Sequence, residues 1–214
     1  MVNKPAGLLA VPGRGVDKQD SLVSRVQAEF SDALIVHRLD MATSGIIVFA
    51  RGAGMQSSLS RIFRERLVAK RYMAVVAGNM PPPSQPSPIG RRDERALPFL
   101  GMDQNWFEIN LPLIGDWPNR PKQKVDSIIG KPSLTRYRLL GHDAGTNTSR
   151  MELEPVTGRT HQLRVHMAAI GHPVVGDILY GGYEAERLML HACSLSFAHP
   201  LSGKMLCLSC EPPF

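Results

Sequence analysis

Cysteine is scarce in this 214-residue sequence, with only Cys193, Cys207 and Cys210. So low and odd a count excludes a disulfide-built scaffold and suits a reducing compartment. Cys207 and Cys210 make one C-x-x-C, but a zinc site of that kind needs a second ligand pair, so packed free thiols are the expectation and no metal is required. No apolar run reaches the length needed to cross a bilayer, and Met1-Val2-Asn3-Lys4-Pro5 has no apolar signal region. Both readings point to the cytoplasm and away from a membrane partner. Aromatic residues are only 6%, so a core has to come from Leu, Val, Ile, Ala and the ten methionines. An acidic surplus is lacking as well. Lys and Arg number 25 against 19 Asp and Glu, a net +6, which favours a polyanionic partner because each phosphate contact releases condensed counterions.

What is present suffices for a packed domain: 43% hydrophobic and 21% charged residues are ordinary globular usage. Ser21 is placed to cap a helix to about Phe30, with Leu22, Val26 and Phe30 at helical spacing. Residues 45–50, Gly-Ile-Ile-Val-Phe-Ala, predict a strand buried on both faces. A helix is expected over 55–66, with Leu59, Ile62 and Phe63 inward, then a strand over 72–77. The stretch 80–108 breaks this pattern. It holds five prolines between Pro81 and Pro88, then Arg91-Arg92-Asp93-Glu94-Arg95, and reads as a long surface insertion. Strands follow near 109–114, 134–140 and 151–155, then a helix over 160–170 stopped by Gly171, and strands near 188–197 and 204–210. There is no internal repeat. The irregular order of strands and helices predicts an α+β domain built on a mixed, mostly antiparallel sheet.

Three short segments carry groups capable of chemistry. The run Val36-His37-Arg38-Leu39-Asp40-Met41-Ala42-Thr43-Ser44-Gly45 precedes the buried strand, and its charges and hydroxyls cannot continue an apolar strand. It reads either as a turn with a surface ion pair or as a loop that orients a carboxylate. In Thr157-Gly158-Arg159-Thr160-His161-Gln162-Leu163-Arg164-Val165-His166, the residues Leu163, Met167 and Ile170 form an apolar stripe, and Arg164 is expected to point off it into a cleft. His161 and His166 are five apart and share a face poorly, so hydrogen-bonded side chains are expected rather than metal ligands. Lys70-Arg71-Tyr72 opens a strand with a tyrosine whose hydroxyl would lie at the rim.

These segments resemble the RluA-type pseudouridine synthases. His37 to Gly45 is similar to the family's HRLD-x-x-TSG signature, Thr157 to His166 to its TGRTHQLRVH segment, and Lys70-Arg71-Tyr72 stands where the family has its active-site tyrosine. Asn3-Lys4-Pro5-Ala6-Gly7 and Leu188-Met189-Leu190-His191-Ala192 match its opening and closing elements. Asp116-Trp117-Pro118-Asn119-Arg120-Pro121-Lys122-Gln123-Lys124 resembles a loop of the RluA branch, which acts on tRNA anticodon stem-loops and a 23S rRNA hairpin. The resemblance implies the pseudouridine synthase fold around a central cleft, in one catalytic domain over 1–214 without an S4 module. It also implies a start short of one strand and an unusually long insertion over 80–108.

The resemblance further implies isomerisation of uridine in tRNA or 23S rRNA by a monomer without a cofactor. Asp40 would be the catalytic carboxylate, Arg164 would pair with it and keep it ionised, and Tyr72 would stack on the base or act as a general base. Arg38 would help hold the flipped nucleotide, with His37, Thr43, Arg71, Arg159 and His161 also on the substrate side. Arg120, Lys122 and Lys124, beside Trp117, would meet phosphates and bases. The competing reading is an RNA-binding module with a decayed site, against which Asp40, Tyr72 and Arg164 stand intact.

Overall fold

The computed structural model describes residues 1–80 and 106–214, so nearly all of the insertion expected over 80–108 lies outside the described residues. Two compact units are present: Met1–Arg71 with Leu190–Phe214, and Tyr72–Met189. Among the described residues no helix is long and apolar enough to cross a membrane.

The first unit begins with β1 (Val2–Lys4), α1 (Leu22–Glu29), β2 (Ala33–Ile35), β3 (Ser44–Ile47), β4 (Phe49–Arg51) and α2 (Ala53–Arg64). Ser21 caps α1 as expected, its hydroxyl accepting the Ser24 N–H at 3.2 Å. β5 (Ala69–Ala77) then leads into the second unit. There follow β6 (Phe107–Asn110), β7 (Leu113–Gly115), β8 (Gln123–Val125), β9 (Leu134–Asp143), β10 (Thr148–Pro155) and α3 (Gln162–Ala169), before β11 (Leu190–Ala198) and β12 (Met205–Ser209) return to the first unit.

In the first unit β1 pairs antiparallel with β3, β3 runs parallel to β11, and β12 pairs antiparallel with β11. The single strand expected over 45–50 is two strands with different partners. Val48 leaves the ladder because its N–H donates to the His37 ring, and Phe49 to Arg51 pair with β2 instead. Ile46, Val48, Ala50, Leu59 and Ile62 are nonetheless buried as expected. They are buried together with Val68, Leu195 and Phe197, and Phe63 is packed against them. Burying a side chain of this size contributes about 1.5–3 kcal/mol.

In the second unit the strand order is β5-β10-β9-β6, antiparallel throughout, with a bulge in β10 between Arg150 and Met151. The strand expected over 109–114 is also divided. It breaks at Leu111-Pro112, whose carbonyls accept from His166 and from the Asp126 N–H. β7 then pairs with β8, which the sequence did not announce, and the Asp116–Lys124 loop is carried on this hairpin.

α3 departs from its expected amphipathic stripe. Every side chain from Gln162 to Met167 is buried, Arg164 and His166 included, while Ile170 is only partly covered. A helix can be covered on all sides only if its polar groups find internal partners, and these do, as described below. Gly171, with φ +88°, ends it in the left-handed conformation expected.

Among the described glycines of the first unit, Gly45 leaves the least room for a side chain. It sits at φ +118°, and a Cβ there would lie 2.4–2.8 Å from backbone atoms of Ala192. Gly45→Ala should therefore destabilise the protein by about 2 kcal/mol or more, measured by urea unfolding. A loss below about 0.5 kcal/mol, the scatter of neutral surface changes, would contradict the close packing of β3 on β11.

Candidate active site

The loop carrying Asp40 is fixed almost atom by atom within the first unit. The Thr43 N–H donates to the Asp40 carbonyl at 3.2 Å and closes a turn over residues 40–43. Two donors from the opening segment converge on the Met41 carbonyl, the Gly7 N–H and Lys4 Nζ, each at 2.9 Å. Lys4 is wholly buried, and its ammonium also donates to the carbonyls of Pro5 at 2.9 Å and Leu8 at 2.7 Å. Three acceptors for three N–H donors make burial of this cation tolerable. Ser44 Oγ meets His191 Nδ1 at 2.8 Å, and Gly45 packs on Ala192. Three segments distant in sequence thus form one support, and half-buried Asp40 rides on it.

Other predicted residues of this unit divide by exposure. Arg38 is exposed and Arg71 half-buried. Thr43 is buried in the turn. His37 is built into the scaffold: Nε2 accepts the Val48 N–H at 2.9 Å, so the proton sits on Nδ1, and the ring stacks on Phe63 at 4.4 Å. Burial, with a smaller push from the Lys70 charge, lowers its pKa from 6.5 to about 4.

In the second unit Tyr72 stands on β5 opposite Leu153. Arg164 is held by a residue that no sequence motif marked. Its Nε and a terminal nitrogen donate to the two oxygens of Asp177, both at 2.7 Å, in a fork buried from solvent. The Tyr180 ring lies 5.2 Å from the guanidinium carbon. Tyr180 Oη accepts the Gln123 N–H at 2.8 Å and meets His161 Nδ1 at 2.7 Å.

The other motif residues on α3 hold the helix in place. Gln162 Oε1 accepts from the Thr157 hydroxyl at 2.6 Å and the Arg159 N–H at 3.0 Å, while its amide donates to Leu134 O and Thr135 Oγ1. His166 donates from Nε2 to the Leu111 carbonyl, which leaves Nδ1 to accept from Thr135. Burial lowers its pKa against an opposing contribution from the Leu111 bond. Both histidines are therefore hydrogen-bonded, as expected. Arg159 reaches Pro132 O at 3.4 Å.

The Asp116–Lys124 loop turns on a bond between Asn119 and Asp116 at 2.8 Å. Trp117 is exposed with the Arg120 guanidinium stacked over its indole, Lys124 is exposed, and Lys122 is half-buried. An exposed indole carrying its own cation suits base stacking beside phosphates.

A family model described as RNA pseudouridylate synthase matches residues 1–169. The chain belongs to that family. Among curated relatives, it is 45% identical over 218 residues to the dual-specificity RNA pseudouridine synthase RluA of Escherichia coli strain K12, covering 100% of this chain and 89% of the relative. It is 48% identical over 204 residues to the protein of the same name from Vibrio cholerae, covering 94% and 74%. Among solved structures, the human RNA pseudouridylate synthase domain containing 1 superposes with a TM-score of 0.74 at 30% identity, over 100% of this chain and 79% of that one. The human domain containing 4 protein, 21% identical with a TM-score of 0.69, shares the fold over 99% and 84%.

His37 yields a pH prediction. Kept neutral in the fold, it takes up a proton only near pH 4, whereas the unfolded chain does so near 6.5. Stability should therefore fall as pH drops through this window, by up to about 3 kcal/mol. Urea titrations of wild type and His37→Gln across pH 4–7 should show the steeper loss in the wild type. Parallel curves would show that His37 is not buried as a neutral base.

Proposed function

We propose that this chain converts uridine to pseudouridine in a tRNA anticodon stem-loop, a 23S rRNA hairpin loop, or both, with Asp40 as the catalytic carboxylate. The observation that carries the reading is the support under Asp40: Lys4, Gly7 and Thr43 fix the turn on which it stands. The name dual-specificity borne by the bacterial relatives supports two classes of RNA substrate. The free thiols suit a cytoplasmic setting, and a monomer is the working state.

Pseudouridylation breaks the ribose–N1 bond, turns the uracil, and joins its C5 to the same sugar carbon. Hydrolytic glycosidases generally need two carboxylates, an acid and a base or nucleophile. One carboxylate in a rigid setting suits an isomerase that returns the base to the sugar. Asp40 can act by forming a sugar ester, by adding to the ring, or by removing a sugar proton as a glycal forms. In this reading Tyr72 stacks on the base or serves as general base, Arg164 is the cation of the reaction, and Arg38 holds the extruded nucleotide. Extrusion costs a few kcal/mol, least in an unpaired loop, which favours hairpin loops. Trp117, Arg120, Lys122 and Lys124 form the RNA-contacting loop; Arg71, Arg159 and His161 complete the substrate side.

Asp40→Asn should abolish pseudouridine formation while leaving RNA affinity within a few-fold, read by single-turnover assay and filter binding. Substantial retained turnover would remove Asp40 from the chemistry. Replacing Lys122 and Lys124 by Ala should flatten the plot of log affinity against log salt by about 1.4–1.8, at roughly 0.7–0.9 for each phosphate no longer neutralised. An unchanged slope would place phosphate elsewhere.

A further inference from the structure

We propose that Asp177 is a positioning residue which, with the ring of Tyr180, holds the Arg164 guanidinium in its working orientation; this rests on the assignment of Arg164 above. Stability alone is a weak explanation for the pair. Replacing a whole buried ion pair by apolar residues is often neutral or favourable, so such pairs are weak evidence of a stabilising role. Direction is what the geometry supplies. The fork takes Nε and one terminal nitrogen, both at 2.7 Å, and so fixes the plane of the guanidinium and the bearing of its remaining edge. The Tyr180 ring limits movement out of that plane.

Asp177 is itself set in place by its own loop. Its Oδ1 accepts the N–H groups of Leu179 at 3.0 Å and Tyr180 at 3.2 Å, and its carbonyl accepts those of Gly181 and Gly182. A Cβ at Gly176 or Gly182 would lie 1.9 Å from the carbonyl oxygens of Arg187 and Val174, so both positions require glycine. Tyr180 is tied down in turn. Its oxygen accepts the Gln123 N–H and shares a second hydrogen bond with His161 Nδ1. Gln123 belongs to the RNA-contacting loop, so that loop and the orientation of Arg164 are joined through one phenol. A lysine at 164 would keep the charge but not the planar fork.

The test is a double-mutant cycle on a uridine-containing hairpin that the wild-type protein modifies. Single-turnover rate, RNA dissociation constant and Tm are measured for Asp177→Asn, Tyr180→Leu, Arg164→Lys and the two doubles that combine Arg164→Lys with each of the others. Asp177→Asn should slow the reaction by about 30–100-fold with RNA affinity held within about threefold. On the Arg164→Lys background the same change should cost less than about threefold, because no fork remains to lose. A near-wild-type rate for Asp177→Asn, or an undiminished cost on the lysine background, overturns the proposal. If Asp177→Asn does not fold, the Tyr180→Leu cycle decides by the same criteria. Full activity in Arg164→Lys overturns the assignment of Arg164 and the proposal with it; a crippled Arg164→Lys beside an unaffected Asp177→Asn overturns the proposal alone.

Discussion

A buried polar group must find its hydrogen bonds inside the protein, and in this chain the Lys4 ammonium is where that requirement shapes the site. It is wholly buried and donates to the carbonyls of Pro5, Leu8 and Met41. Leaving such a cation unsatisfied would cost far more than one hydrogen bond contributes, so the opening segment and the Asp40 turn hold together or neither forms. The same logic recurs in the second unit, where Gln162, Arg164 and His166 are buried on α3 with partners for their polar atoms. Rigid placement of functional groups follows from satisfying buried polar groups, and apolar packing alone does not provide it.

This explains what was legible in the amino-acid sequence and what was not. The Ser21 cap, the apolar face of α2 and the left-handed stop at Gly171 depend on neighbours a few residues away, and each appears as expected. The break at Val48 depends on His37, eleven residues earlier, and on a hydrogen bond no periodicity announces. On α3 Leu163 and Met167 are buried as expected, but the polar side is buried as well, because Thr135, Leu134 and Leu111, from distant positions, accept from or donate to it. Sequence polarity marked these side chains as hydrogen-bonding, but their partners come from the fold.

Candidate site residues were legible only to the extent that a motif marked them. Asp40, Tyr72 and Arg164 stood in motifs, whereas Asp177, thirteen residues beyond Arg164, stood in a stretch without periodicity. Its local signal was Gly176 before it and Gly181-Gly182 after it, a pattern of forced glycines around an acid. Conversely, His37 lies within the signature run yet is occupied in the scaffold by Val48 and Phe63. A motif residue can thus serve the site by holding its backbone.

In the proposed reaction one carboxylate on a fixed turn isomerises uridine without hydrolysing it. The direct measurement follows a hairpin RNA carrying tritium at uracil C5. Because C5 becomes the carbon joined to the sugar, isomerisation must release the label to water in step with pseudouridine, with no free uracil. Accumulation of free uracil, or retention of the label while substrate is consumed, would contradict it.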